Sequence, residues 1–158
     1  MFFLKNWSTT LVCTWVLLAA RAFGQIGIYT EPWSEFQLSG PQSTSATGRI
    51  AALSRNPSTL EVFWIAPDGS VQDRYFYDGA GWKGFTLAPP GSASASGGIA
   101  AVSRSSNTME VFWIAPDGSI QDRYFYDGAG WKGFTLAGAA SASKTGGIAA
   151  VSRSSNTN

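Results

Sequence analysis

The chain has 158 residues, enough for one modest domain. Aromatic residues make up 14% of it and charged residues only 13%, which excludes a disordered chain, and a net charge of +1 without a basic block excludes phosphate-steered nucleic-acid binding. There is no histidine and a single cysteine, Cys13, so a Ser-His triad and the usual zinc sites are excluded.

The N-terminal stretch "MFFLKNWSTTLVCTWVLLAARAFGQ" has a cationic start at Lys5, a short apolar run from Leu11 to Ala20, and small residues after it. Residues 1–24 read as a secretory signal peptide, with the mature chain starting near Phe23 or Gln25 and the protein secreted. Leu11–Ala20 is too short to span roughly 30 Å of hydrocarbon as a helix, so no membrane span is expected. Losing Cys13 with this segment leaves a mature chain that must be stabilised by packing alone.

Residues 25–49 follow. Trp33, Phe36 and Leu38 stand 49 residues before Trp82, Phe85 and Leu87, so Glu31–Leu38 is expected to be a lone fourth strand. The unit 50–98 then recurs as 99–147, with 38 of its 49 positions identical, and Ile148–Asn158 begins the unit again, with Ile148–Arg153 expected as a lone first strand. A β-patterned repeat of this length is the signature of a propeller blade. The fold class is therefore all-β, with blades of four antiparallel strands, and with too few units for a closed ring of about four to eight blades. The missing blades are expected from a longer chain or from a homo-oligomer.

Within each unit four runs are expected to be strands. In the second unit they are Ile99–Arg104, Met109–Ile114, Ser119–Tyr126 and Trp131–Leu136, separated by turn residues such as Ala115-Pro116-Asp117-Gly118. The second run is apolar on both faces: Val62 and Trp64 point one way, Phe63 and Ile65 the other. A strand of that kind belongs in a sheet covered on both sides, as a blade between two neighbours is. One blade alone leaves such faces in water, so neighbouring blades must stack.

Several repeated residues are candidates for chemistry. Glu61 and Glu110 sit in the apolar second strand and are costly to bury alone. They are expected either to pair with Arg55 and Arg104 inside the blade or to hydrogen-bond a sugar hydroxyl. Trp64, Trp113, Trp82 and Trp131, with Tyr77 and Tyr126, offer aromatic faces on which a sugar packs, and core packing is the competing role. Gln72 and Gln121 are the polar partners. Asp68 and Asp117 read as turn residues, as do Asp78 and Asp127. A carboxylate pair drawn from Glu61, Asp68, Asp73 and Asp78 could hydrolyse a glycoside, but each recurs once per unit, whereas a propeller enzyme gathers one asymmetric site. No catalytic residue is therefore assigned. Nothing in the pattern calls for a cofactor or a metal.

The stretch "SRSSNTMEVFWIAPDGSIQDRYFY", continued by Gly128 and Trp131, resembles the repeat of the PLL-like family of seven-bladed β-propeller lectins from insect-pathogenic bacteria. The same pattern runs from Ser54 to Trp82, and the resemblance covers Glu31 to Thr157. It implies binding of glycans, notably fucose and O-methylated sugars, in pockets between adjacent blades. The expected function is thus a secreted carbohydrate-binding propeller fragment. A propeller scaffold for protein partners is the alternative, and a propeller glycosidase is third.

Overall fold

The structure is a computed structural model that describes residues 37–153. The signal-peptide reading and most of the Glu31–Leu38 strand lie outside the described residues. Among the described residues there is no helix, and none long and apolar enough to cross a membrane.

Two four-stranded antiparallel sheets make the fold. Blade one contains β1 (Ile50–Leu53), β2 (Thr59–Ile65), β3 (Val71–Tyr77) and β4 (Gly81–Ala88). Blade two contains β5 (Ile99–Ser105), β6 (Thr108–Ile114), β7 (Ile120–Tyr126) and β8 (Gly130–Ala137). Strand order follows chain order in each, β1-β2-β3-β4 and β5-β6-β7-β8. The registers match one for one: Glu61 faces Tyr75 as Glu110 faces Tyr124, and Asp73 faces Phe85 as Asp122 faces Phe134. These are two adjacent propeller blades, and the four expected runs are placed within two residues of their strands.

The hairpins owe their shape to the turn residues. Gly69 and Gly118 take φ of +76° and +80°, a conformation that strains other residues, and each closes a turn whose Asp side chain accepts from a Ser two positions on. The connection between blades then stitches onto that turn: Ala93 N–H donates to Gly69 O at 2.8 Å and Ser94 N–H to Ile114 O at 2.8 Å. The linker is thereby a structural joint rather than a loose tether.

Strand alternation decides which residues meet between the blades. Glu61, Phe63 and Ile65 of β2 share a face with Val71, Asp73, Tyr75 and Tyr77 of β3, as their cross-strand pairing requires. That face packs on the opposite face of blade two, where Met109, Val111 and Trp113 sit. Phe63, Ile65, Val71, Met109, Val111 and Trp113 are all at most 2% exposed and form the core. The largest apolar cluster is thus between the sheets, as the doubly apolar second strand implies.

One expected element does not form. Ile148–Arg153 carries no strand pairing. Its counterparts Ile50 and Ile99 pair with Trp64 and Trp113 on the second strand of their own blades, and no described residue offers such a partner to Ile148. Ile148–Val151 instead lies beside Val102, Phe112 and Leu136, lining a cavity on the outer face of blade two.

Candidate functional site

Arg55 leaves the β1–β2 hairpin and crosses to blade two. Its Nη1 donates to Asp127 Oδ1 at 3.0 Å, and its Nη2 donates to Tyr77 Oη at 2.9 Å. Tyr77 in turn donates to Glu61 Oε1 at 3.2 Å, and Arg55 Nη2 stands 3.9 Å from the same oxygen. The guanidinium also lies over the rings of Phe125 and Tyr77, 5.1 and 5.8 Å from their centroids. Asp127, expected as a turn residue, is here an interblade partner. The sequence offered no signal for that role, because the partner comes from the preceding blade.

Beneath this network is a cavity of about 170 Å³. Glu61, Asp73, Tyr75, Tyr77 and Phe85 line it from blade one, and Met109, Phe125 and Trp131 from blade two. Trp131 packs edge-on against Phe63 and tilts against Phe85 and Phe125, with centroids 5.6–6.3 Å apart. Phe85 is 38% exposed, so the aromatic wall reaches solvent. Tyr75, Phe85 and Phe125 were absent from the candidates drawn from sequence. Period-two alternation from Glu61 and its cross-strand partners would have found Tyr75 and Phe85.

The carboxylates in this cavity are held in their neutral form more than usual. Burial pushes Glu61 up to about 7, against the pull of Arg55 and the Tyr77 hydroxyl. Burial, and then the negative charge of Glu61, push Asp73 up to about 8, with Arg74 opposing. Both side chains are in residues 1% exposed, and neither Asp73 oxygen has a hydrogen-bond partner.

The other sequence candidates fall into three groups. Trp64 and Trp113 are 4% and 1% exposed, and each indole N–H donates to a loop carbonyl, Ser43 O and Ser92 O. Arg74 and Arg123 stack on these rings at 5.7 and 5.6 Å. Both indoles are wall and core. Gln72 and Gln121 are bound into a chain from Ser70 or Ser119 to Thr86 or Thr135, at the blade's other face. Trp82 lies against Phe76, half-buried, as Trp131 does against Phe125. Of the candidates, Glu61, Asp73, Tyr77 and Trp131 line the junction cavity, with Arg55 bonded to Tyr77 beside it, while Trp64 with Gln72 and Trp113 with Gln121 line shallower cavities at the other face of each blade.

In blade two, Arg104 pairs with Glu110 and donates to Tyr126 Oη at 3.0 Å, repeating the blade-internal part of the network. Its side chain is 53% exposed, whereas that of Arg55 is 5% exposed. Among the described residues no cluster of three or more His, Cys, Asp or Glu is placed to hold a metal ion.

No family model and no curated protein matches the chain. Its fold is similar to the crystal structure of AofleA from Arthrobotrys oligospora, with a TM-score of 0.51 and 18% identity over 60% of this chain. It is also similar to a variant of AofleA in which three evenly spaced arginines are replaced by alanine, with a TM-score of 0.50 and 19% identity over 58% of this chain. The chain spans 28% of the length of either structure. At that identity the likeness is one of fold.

Proposed function

We propose that this chain is a secreted carbohydrate-binding module of the β-propeller lectin kind, with its glycan site in the cavity at the blade junction. The observation that carries the reading is the pairing of surfaces there. The Trp131, Phe85 and Phe125 walls suit the C–H face of a sugar ring, and Glu61 and Tyr77, the latter held by Arg55, stand beside them to read hydroxyls. Two further observations support it. The repeat resembles that of the PLL-like lectins, which points to fucose-type or O-methylated sugars. Arg55 recurs as Arg104 one repeat on, so a guanidinium stands beside the second-strand glutamate in each blade. Secretion rests on the signal-like character of residues 1–24. The site binds and does not react: its carboxylates recur on each blade, and the reading assigns them to recognition.

The test is a glycan array probed with the purified chain, followed by titration with methyl fucoside. Binding that the free fucoside inhibits is expected, and Trp131→Ala should weaken it by about tenfold or more, a loss of ~1.4 kcal/mol. A chain that retains no glycan, or whose glycan binding is indifferent to Trp131→Ala, overturns the reading.

A further inference from the structure

We propose that the sugar taken at the blade junction is an amino sugar, whose ammonium group sits between Asp73 and Glu61. This inference rests on the glycan-binding reading and adds the charge of the ligand to it.

The cavity is lined by two carboxylates and by no cationic residue. Arg55 is the guanidinium nearest to Glu61, and its short bonds go to Asp127 and Tyr77, with Glu61 at 3.9 Å. Asp73 is 1% exposed and both of its oxygens are unpartnered. Arg74, its chain neighbour, donates instead to the Asp73 and Leu38 carbonyls and stacks on Trp64 at the other face of the sheet. A buried carboxylate without a partner is expensive, and the site is short of one positive, hydrogen-donating group.

The walls say what kind of cation fits. Tyr75, Phe85, Phe125 and Trp131 present aromatic surface, whose negative faces attract an organic ammonium. A hard metal ion wants about six or more oxygen ligands, which two carboxylates among aromatic rings do not supply. The cavity of 170 Å³ is several times the roughly 30 Å³ share of one water and below the ~300–1,000 Å³ of a drug-sized pocket. It therefore suits one ring with a small substituent. A neutral sugar satisfies the walls and leaves Asp73 without its counter-charge. An amino sugar satisfies both.

The experiment titrates the whole purified chain, by calorimetry, with galactosamine, N-acetylgalactosamine, galactose, fucose and methylammonium. Galactosamine should bind at least about tenfold tighter than its acetylated, neutral form. Asp73→Asn, which keeps the shape, should erase that preference while binding of the neutral sugars persists. Phe85→Ala, at the exposed wall, should weaken all the sugars alike. Equal affinity for the amine and the acetylated sugar overturns this inference and leaves the glycan reading standing. Binding of methylammonium with no sugar binding overturns the glycan reading and the amino-sugar assignment with it. No binding of any probe to a folded chain overturns both.

Discussion

Blade one and blade two are nearly the same sequence in different surroundings. Phe63 is 0% exposed and its repeat, Phe112, is only half-buried. Arg55 is locked between blades and Arg104 stands in solvent. The residues do not differ, so the difference is set by the neighbour: the Glu61 face has blade two upon it, and the Glu110 face has only Ile148–Val151 beside it among the described residues. A repeat of this kind carries half of an interface on each face, and the sealed core forms where the two halves meet.

The sharpest way to break that comparison is to remove the same ring from each blade. Phe63→Ala should cost about 3–5 kcal/mol, because it opens a void in the sealed junction. Phe112→Ala should cost less than about half of that, since its pocket is already open to the C-terminal segment. Urea unfolding of the two variants checks this. Equal losses would mean that the junction is no better packed than the outer face.

Acid–base behaviour separates the blades next. The folded state raises Asp73 to about 8 and Glu61 to about 7, above their ordinary values of 3.8 and 4.5. Acids raised in this way hold protons that the unfolded chain has lost. Their contribution is complete below about pH 4 and disappears as pH rises through 7 to 8. Stability should therefore fall as pH rises from about 4 to about 8, and Asp73→Asn should flatten most of that fall. In blade two burial, and then the charge of Glu110, raise Asp122 only to about 6, so Asp122→Asn should alter the profile only between about pH 4 and 6. Midpoints of urea unfolding taken across pH decide it. A flat profile in the native chain would put the two carboxylates in contact with water.

Much of this was legible in the sequence. The 49-residue repeat, the four strands and the two-faced second strand follow from periodicity and turn residues alone, because those are local signals. The cost of burying an acid left blade-internal pairing as one of two roles for Glu61 and Glu110, and Arg104 stands against Glu110, whereas Arg55 stays 3.9 Å from Glu61. What stayed hidden was across the junction. Asp127 reads as a turn residue because its partner Arg55 is 72 positions away. Trp64 and Trp113 read as open to a ligand as well as core, because sequence does not show that Ser43 and Ser92 carbonyls take up their N–H groups. Ile148–Arg153 has the letters of a first strand, yet pairing needs a second strand, and letters do not reveal whether one is there.

The arginines give a smaller contrast. Arg55→Ala removes two charge-assisted bonds and leaves Glu61 buried with the Tyr77 hydroxyl as its partner, a loss of about 1–2 kcal/mol. Arg104→Ala removes an exposed pair and should cost under about 1 kcal/mol. Melting of the two variants side by side checks this, and the order should hold at high salt, which screens Arg104 more than Arg55.

The smallest effect lies in the loop after the fourth strand, where backbone alone differs. The equivalent positions Gln42, Gly91 and Ala140 all have positive φ, of +59°, +77° and +60°. Glycine adopts that conformation freely, whereas an L side chain is strained there by about 1–2 kcal/mol. Gly91 has nothing within 4 Å of where a Cβ would stand, so a methyl group there meets no clash and the backbone term is isolated. Gly91→Ala should therefore destabilise by roughly 1 kcal/mol. Ala140→Gly should stabilise by about 0.5 kcal/mol, because relief of strain is partly offset by the greater freedom glycine has when unfolded. The loop bonds on either side, Gly91 N–H to Asp68 O and Ala140 N–H to Asp117 O, are both 2.9 Å, so hydrogen bonding does not distinguish the two sites. Thermal unfolding of the pair, and of the double variant that exchanges the residues, measures the backbone term directly. A stabilising Gly91→Ala would show that the loop relaxes to negative φ when glycine is removed.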